Sequence, residues 1–395
     1  MNLILFDDHS WMNLWPFTMT RPVAAIRIGL LTLMEKWEKT YSLSASYLTA
    51  EYLKPVYKTA VTSDNLLVNG SVLPNRELAE EVQRLAFNEA LVRNDEIIAV
   101  RLNREQTYEF SYENIERYKK RETNSGFVKV NYPWDIFSLN GEALASDFRE
   151  VTFGRSSEDP GPLAKTVGNK NIFIEQGASI SFATLNSTDG PVYIGKNAQI
   201  MEGAVIRGPF SLGQSSVVKM GAKIYGPTTI GPHCKVGGEI NNSVFFGYSN
   251  KAHDGFLGNS VIGEWCNLGA NTNNSNLKNN YAEVRVWNYS QKKFIGTGLQ
   301  FCGLFMGDHS KSAINTMFNT GTMIGVFANI FGSGFPRNFI PSFSWGGPQG
   351  FATYNLDKAI EVAEKVMIRR NVELTEADSH ILETVFNNTE KYRRY

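Results

Sequence analysis

The fold is decided by the stretch IGKNAQIMEGAVIRGPFSLGQSSVVKMGAKIYGPTTIGPHCKV (Ile194–Val236). An aliphatic residue recurs at every sixth position of it, in one unbroken frame: Ile194, Ile200, Ile206, Leu212, Val218, Ile224, Ile230 and Val236. Small residues dominate four positions later, as at Ala198, Ala204 and Ala222. A period of six suits neither an α-helix nor a hairpin sheet. It is typical of a solenoid in which each hexapeptide forms one face of a triangular coil, with its aliphatic side chain inside.

The frame is interrupted and then resumes. Ile174 and Ile180 precede an insertion at 186–191, and the frame slips again before Ile262 and before Met306. The largest break, 271–294, contains the Asn- and Lys-rich run NTNNSNLKNN and is the best candidate for a loop. Because insertions in a solenoid project from one face, often the binding face, we expect the site near these breaks.

The flanks of the repeat differ from it. Residues 1–150 alternate strands with helices, which predicts an α/β domain; the clearest segments are Leu3–Phe6, Glu96–Arg101 and the helical Arg76–Asn88. Tyr132–Phe148 is expected to form a connecting helix. We therefore assign 1–150 to the α/β domain, 151–347 to the solenoid and 348–395 to C-terminal helices. Two amphipathic helices are predicted there, Leu356–Arg370 and Glu376–Asn387, the second opened by a capping box of Thr375 and Asp378.

Composition excludes several classes of protein. Lys+Arg and Asp+Glu both total 39 in 395 residues, so the net charge is zero and a dedicated nucleic-acid or membrane-surface binder is not expected. Three cysteines do not make a disulfide framework and suit a reducing compartment. The N-terminus MNLILFDDHS does not resemble a signal peptide, and no stretch approaches a membrane span. These features predict a soluble, cytoplasmic protein.

The histidines supply the candidate chemistry. No two of the five lie closer than 20 residues, which disfavours a metal centre of the kind that needs neighbouring histidines. His253, in SNKAHDGFLG (Ser249–Gly258), lies where the frame slips and could act as a general base, or could simply be a hydrogen-bonded surface residue. His309, in GDHSK, is a second candidate. Lys278 and Lys311 could bind phosphate, or could only be solvated.

The segment around His253 resembles the acetyltransferase half of the GlmU family. The matching residues are Lys251, Ala252, His253, Phe256, Leu257, Gly258, Asn267, Gly269, Ala270 and Asn276. The resemblance implies a left-handed parallel β-helix that forms a homotrimer. It also implies transfer of an acetyl group from acetyl-CoA to an amino-sugar-1-phosphate such as glucosamine-1-phosphate, in UDP-N-acetylglucosamine-type biosynthesis.

The resemblance also implies roles for individual residues. His253 becomes the general base, because the substrate amine must lose a proton to attack the thioester. Substrate contacts fall on Lys223, Lys251, Phe256 and Asn267. Acetyl-CoA contacts fall on Ala270, Asn276 and Lys278. Two positions depart from the family pattern: Phe256 replaces the usual tyrosine, and uncharged Asn241 stands at a position where the family has a basic phosphate ligand.

The N-terminal segment FDDHSWMNLWPFTMTRP (Phe6–Pro22) resembles a divergent, truncated sugar-1-phosphate nucleotidyltransferase domain. It lacks the glycine-rich phosphate loop, and the similarity is carried by Pro16, Thr18, Arg21 and Pro22. The resemblance implies that Arg21 contacts phosphate and that Asp7 or Asp8 holds Mg²⁺, with UTP or dTTP as nucleotide. A degenerate domain that serves oligomerisation or substrate capture is the alternative.

Two other readings of the whole chain stay open. In one, the N-terminal domain is a working sugar-1-phosphate nucleotidyltransferase and the β-helix only oligomerises. In the other, the β-helix is a scaffold or binds an effector, and the protein catalyses no acyl transfer.

Overall fold

The computed structural model describes residues 1–395, apart from the side chain of Asn169. The chain forms two compact units. The first comprises 1–14, 20–26 and 31–132, and the second comprises 15–19, 27–30 and 133–395. The boundary therefore falls at residue 132 rather than at the expected 150. The reason is that the connector groups with the β-helix as two helices, Pro133–Ser138 and Asn140–Thr152.

The connector is held to the β-helix by a buried amide. The side chain of Asn140 donates to the carbonyl of Pro227 at 2.9 Å and accepts from the Gly29 amide at 2.8 Å. A second buried bond joins the Thr229 hydroxyl to the Asn140 amide oxygen at 3.0 Å. Because removing one partner of a buried hydrogen bond costs about 1–3 kcal/mol, these bonds fix the connector on the second face of the coil.

The first unit is α/β, as predicted. Its six-stranded mixed sheet has the order Ala45–Leu48, Asn2–Phe6, Asn65–Asn69, Glu96–Leu102, Glu89–Arg93 and Lys119–Glu122. Its shorter strands are Leu31–Thr32, Val72–Leu73 and Val128–Lys129, whereas Arg27–Ile28 belongs to the second unit. Its helices are Ser10–Asn13, Leu33–Tyr41, Arg76–Gln83 and Arg104–Tyr108, so the third ends five residues before the expected Asn88.

The strand Asn2–Phe6 lies between two parallel neighbours, Ala45–Leu48 and Asn65–Asn69, and its position in the sheet explains its hydrophobic sequence. Leu3 and Leu5 pack into one apolar cluster, whereas Ile4 and Phe6 pack into another on the opposite face. Since side chains alternate across a strand, a strand that is buried on both faces reads as a continuous apolar run.

The second unit is a parallel β-helix with three faces, which confirms the hexapeptide prediction. The first face consists of Lys165–Val167, Thr184–Asn186, Val205–Arg207, Lys223–Tyr225, Glu239–Asn241 and Phe256–Gly258, with Asn273–Asn274 and Met317–Phe318 pairing beyond them. The second face consists of Ile172–Ile174, Val192–Ile194, Phe210–Leu212, Thr228–Ile230, Val244–Gly247, Val261–Glu264, Leu304–Met306, Thr322–Ile324 and Phe339–Ile340. The third face consists of Ser179–Ile180, Gln199–Ile200, Val217–Val218, Lys235–Val236, Asn250–Lys251, Asn267–Leu268, Lys311–Ser312, Asn329–Ile330, Ser344–Gly347 and the antiparallel Gly350–Thr353.

The hexad residues point into the coil. All eight aliphatic residues of the repeat are at most 1% exposed and belong to one apolar cluster. Close approach of successive coils requires glycine at one corner position. A Cβ on Gly231 would lie 1.9 Å from the carbonyl oxygen of Phe246 on the next coil.

The long break is partly structured, so its prediction as a loop was only partly right. It contains a β-hairpin in which Arg285–Asn288 pairs with Lys293–Gly296. Val284 and Val286 are fully buried, which gives the hairpin an apolar anchor that its Asn-rich beginning does not reveal.

The C-terminal helices are Leu356–Ile368 and Glu376–Asn388, close to the expected bounds. The capping box is present: the Thr375 side chain accepts from the Asp378 amide, and the Asp378 side chain accepts from the Thr375 amide. None of the helices in the described residues is both long enough and apolar enough to cross a membrane.

Candidate active site

His253 lies at the corner between the third and first faces. The strand Asn250–Lys251 leads into this corner, and Phe256–Gly258 leads out of it. The imidazole is exposed, and across the described residues no hydrogen bond or ion pair engages its ring. An exposed histidine whose ring the protein does not engage can take a proton from a bound substrate, as a general base requires.

Coil stacking brings polar residues to the same corner. On the coil after His253, the Asn271 amide donates to the carbonyl of Asp254 at 3.0 Å. One coil further, the Asn315 amide donates to the carbonyl of Ala270 at 2.8 Å, and the Asn271 side chain donates to that of Asn315 at 2.9 Å. The structure therefore places Ala270 beside His253.

Sequence reasoning missed Asp254, Asn271 and Asn315 as members of this corner. Asn271 and Asn315 lie 44 residues apart in the chain, and only the register of the coils makes them neighbours. The sequence signal was weak: it is only that Asn271 and Asn315 are both asparagines. In the structure both adopt left-handed backbone conformations, with φ of 56° and 58°, which asparagine tolerates better than most residues.

Phe256 is the first residue of its strand on the first face and follows directly after the corner. Its backbone amide donates to the side chain of Asn273 at 2.8 Å. Phe256 pairs with Glu239, which pairs with Lys223, so Lys223 lies two strands away. At a strand spacing of about 4.8 Å this is roughly 10 Å between backbones. Lys223 is exposed, and its side chain is long enough to extend towards the corner. Asn241 pairs with Gly258 at the far end of the same face.

Lys251 does not lie on the surface, which corrects its expected role as a substrate contact. Its side chain points into the coil and is 1% exposed. The ammonium donates to the carbonyl of His253 at 2.8 Å and approaches that of Gly237 at 3.5 Å. Burial lowers the pKa of this amine to about 8. A substrate on the outer surface cannot reach this group.

Asn267 points outward from the third face. It is exposed and pairs with Asn250 on one side and with Lys311 on the other. Its strand runs into the corner through Gly269 and Ala270, so Asn267 is next to the site but on a different face from Phe256.

Asn276 and Lys278 lie beyond the corner, past the far end of the first face. The Asn276 side chain donates to that of Asn259 at 2.8 Å. The Lys278 ammonium donates to the carbonyl of Glu283 at 2.7 Å. Two of the three acetyl-CoA contacts implied by the resemblance are thus separated from His253 by the length of a strand.

His309 is at a different corner, between the second and third faces, so it does not join His253. It belongs to a column of stacked rings in which the centroids of successive rings are 4.2–6.2 Å apart. The residues of this column all have φ angles of 53–60°: His233, Tyr248, Trp265, His309, Phe327 and Phe343. His309 is 7% exposed, and Lys311 donates to its carbonyl at 3.0 Å. The column stabilises this edge of the solenoid.

In the first unit, Asp7 is half-buried and already hydrogen-bonded. It accepts from the Thr49 hydroxyl at 2.5 Å and from the Val23 amide at 2.9 Å. Burial raises the pKa of Asp7 to about 7. Arg21, the expected phosphate contact, is only 4% exposed, so little of its guanidinium is open to a ligand.

Asp8 groups with His9 and Glu96, so that one potential metal-ligand atom from each lies within 4.8 Å of the others. The ammonium of Lys129 is already there, 2.7 Å from Asp8 and 3.1 Å from Glu96. Asp8 also accepts from the Ser10 amide and from Asn69. Burial alone would raise the pKa of Asp8, but Lys129 and these bonds outweigh it and lower the pKa.

These donor sets do not fit Mg²⁺. A magnesium ion needs carboxylate oxygens that are free to coordinate it, together with several waters. The Asp8 oxygens are occupied by an ammonium and three hydrogen bonds, and the Asp7 carboxylate already accepts from Thr49 and Val23. The implied Mg²⁺ site at Asp7 or Asp8 is therefore corrected: Lys129 supplies the positive charge.

Comparison with known proteins confirms the GlmU-like resemblance. Residues 3–156 match the family described as sugar nucleotidyl transferase. A bifunctional sugar-1-phosphate nucleotidylyltransferase/acetyltransferase of Sulfurisphaera tokodaii is 31% identical over 217 residues, 54% of this chain and 47% of that protein. The bifunctional protein GlmU of Methanocaldococcus jannaschii is 32% identical over 87 residues, 22% of this chain and 21% of that protein. The matched regions thus span about half of one relative and a fifth of the other.

Among solved structures, an Arabidopsis UDP-N-acetylglucosamine acyltransferase is similar to this chain at 15% identity and a TM-score of 0.24. The alignment covers 59% of this chain and 98% of that one. A likeness at this level supports no conclusion about function.

Proposed function

We propose that the β-helix unit is an acetyl-CoA-dependent N-acetyltransferase that acts on an amino-sugar-1-phosphate, glucosamine-1-phosphate being the first candidate. The observation that carries the proposal is His253, an exposed imidazole at a polar corner beside Ala270 and Phe256. The matches to proteins named for sugar-1-phosphate nucleotidyl and acetyl transfer support the same substrate class.

The chemistry at this corner needs one proton acceptor. The substrate amine attacks the thioester carbonyl, and neutral His253 takes the proton that the amine loses. The tetrahedral intermediate then collapses: the C–S bond breaks, the amide is complete, and the proton passes from His253 to the departing thiolate. Exposed asparagine side chains at the same corner, Asn271 and Asn315, can hydrogen-bond sugar hydroxyls.

The experiment is thiol release from acetyl-CoA with glucosamine-1-phosphate. We expect His253→Gln to lower kcat by ~10²–10⁴-fold, the usual contribution of a general base. His380→Gln is the matched control, because His380 is also exposed but lies on the C-terminal helix Glu376–Asn388. Equal rates in wild type and His253→Gln would contradict the assignment of the base. No thiol release with any amino-sugar-1-phosphate would favour the scaffold reading.

Nucleotidyl transfer by the first unit is the second candidate, favoured by the family match over residues 3–156. It is tested by pyrophosphate release from UTP or dTTP with a sugar-1-phosphate and Mg²⁺. Since Lys129 occupies the carboxylates at Asp8, the metal would have to enter with the nucleotide phosphates. Absence of pyrophosphate release would leave the domain a role in oligomerisation or substrate capture.

We further propose that the protein acts as a homotrimer, because a solenoid with exposed apolar side chains such as Met220 and Ile314 gains from covering them. Both residues are 68% exposed and lie on the same corner as His253. Sedimentation equilibrium tests this directly, and a monomer at micromolar concentration would contradict it.

A further inference from the structure

One interior position of the β-helix is occupied by a lysine. Along the third face, Ile200 pairs with Val218, Val218 with Val236, and Val236 with Lys251. The three members before Lys251 are aliphatic and fully buried, and Leu268 continues the series on the next coil, followed by Ser312. An aliphatic residue would therefore fill the Lys251 position at lower cost, because burying an ammonium without a counter-ion is expensive.

The hydrogen bonds of the Lys251 ammonium indicate the role of this side chain. Its shorter hydrogen bond, at 2.8 Å, goes to the carbonyl of His253, two residues further along the chain. The longer one, at 3.5 Å, goes to Gly237 on the preceding coil. The Lys251 side chain thus bridges the corner through the carbonyl of His253 and links the corner to the preceding coil through the carbonyl of Gly237. No carboxylate of the described residues forms a salt bridge with Lys251, so the two carbonyls are its partners.

The corner needs such a tie because it is irregular. Gly255 has φ of 118°, a conformation open only to glycine, and the hexad frame slips by three residues between Val236 and Lys251. Few bonds hold its backbone from outside: the Asn271 amide donates to Asp254, and the Glu239 amide donates to Gly255 at 3.2 Å.

We propose that Lys251 is a positioning residue that holds the backbone of His253, and so directs the imidazole into the site. This inference rests on the proposed function only for the role of His253. The group that Lys251 grips is the carbonyl oxygen of the residue that acts as base. Lys251 touches neither substrate nor acyl donor.

The test is Lys251→Met, which keeps the length and apolar stem but cannot donate a hydrogen bond. The control is Lys235→Met, since Lys235 pairs with Asn250 on the adjacent strand but points outward and is exposed. Two readouts are followed: thiol release, and hydrogen exchange of the Asn271 and Glu239 amides, which donate to the corner carbonyls.

In Lys251→Met we expect kcat to fall roughly 10–100-fold with little change in KM, since a misplacement of about 1 Å can cost that much. Exchange at Asn271 and Glu239 should accelerate at least several-fold, while the Gly231 amide, bonded within the second face, is unchanged. Lys235→Met should leave all of these at wild-type values. Unchanged exchange, or accelerated exchange with unchanged kcat, overturns the proposal.

The outcome stays separate from that of the proposed function. If wild type releases no thiol, the proposed function fails, and the exchange rates still decide whether Lys251 holds the corner. If Lys251→Met does not fold, reductive methylation of native wild type decides instead. Lys251 should stay unmodified while Lys235 reacts, and modification of Lys251 in the folded protein overturns the proposal.

Discussion

Lys251→Met also makes a quantitative prediction about stability. The folded protein holds the Lys251 amine at a pKa of about 8 because of burial, against a reference value of 10.5. Between these two pH values the unfolded chain binds a proton that the folded chain does not. The free energy of unfolding must therefore rise with pH through this window. At about 1.4 kcal/mol per pKa unit, the full change is roughly 3 kcal/mol.

The assay is urea unfolding followed by far-UV circular dichroism at pH 7, 8.5 and 10 on wild type and Lys251→Met. Other lysines and tyrosines titrate in the same window, so the informative quantity is the difference between the two proteins. Relative to the variant, wild type should gain roughly 2–3 kcal/mol between pH 7 and 10. Parallel pH profiles would refute the reasoning, because they would mean that Lys251 has the same pKa in the folded and unfolded states. Lys235→Met again provides the surface control.

Three further outcomes follow from buried groups. Asp7→Asn should stabilise the first unit by up to about 4 kcal/mol at pH 8 but not at pH 4. Burial raises the pKa of Asp7 to about 7, so the neutral form that favours the folded wild type is lost as pH rises from 4 to 7. Hydrogen exchange of the Asn2–Phe6 amides at both pH values measures this, and equal effects of the substitution at the two pH values would contradict it. Lys129→Met should create a Mn²⁺ site, detectable by electron paramagnetic resonance, that wild type lacks. The substitution removes the ammonium and leaves the three potential ligands Asp8, His9 and Glu96 within 4.8 Å of one another. Absence of Mn²⁺ binding by the variant would count against Lys129 as the cation that occupies this place. In thermal melts, Gly231→Ala should destabilise the β-helix by about 3 kcal/mol or more, because its Cβ would lie 1.9 Å from a carbonyl oxygen of the next coil. Gly221→Ala is the control: only its positive φ is unfavourable, and it should cost about 1 kcal/mol in the same melts.

The sequence was sufficient for the solenoid because its signal is local and repeated. Each hexad from Ile194 to Val236 states the same requirement, one aliphatic side chain inside and a small residue at the corner, and the buried core follows it position by position. The α/β character of the first unit and the capping box at Thr375 were also predictable, because both rest on residues close together in the chain.

The sequence could not show which candidates meet. His253 and His309 look alike as isolated histidines, but coil register sends them to different corners, one exposed and one stacked between aromatic rings. Asn271 and Asn315 become neighbours of His253 only after the intervening hairpin loops out and the coils stack.

Two lysines mark the same division between sequence and structure. In the linear sequence Lys251 resembles a substrate ligand and Lys129 has no evident role. In the folded chain the first points inward to the carbonyl of His253, and the second neutralises Asp8 where a metal was expected. The sequence by itself determined the period, and hence the coil, because hydrophobic burial depends on residue type and spacing. Only the tertiary structure decided which way each charge points, because that depends on which backbone and which carboxylates distant parts of the chain bring within about 3 Å.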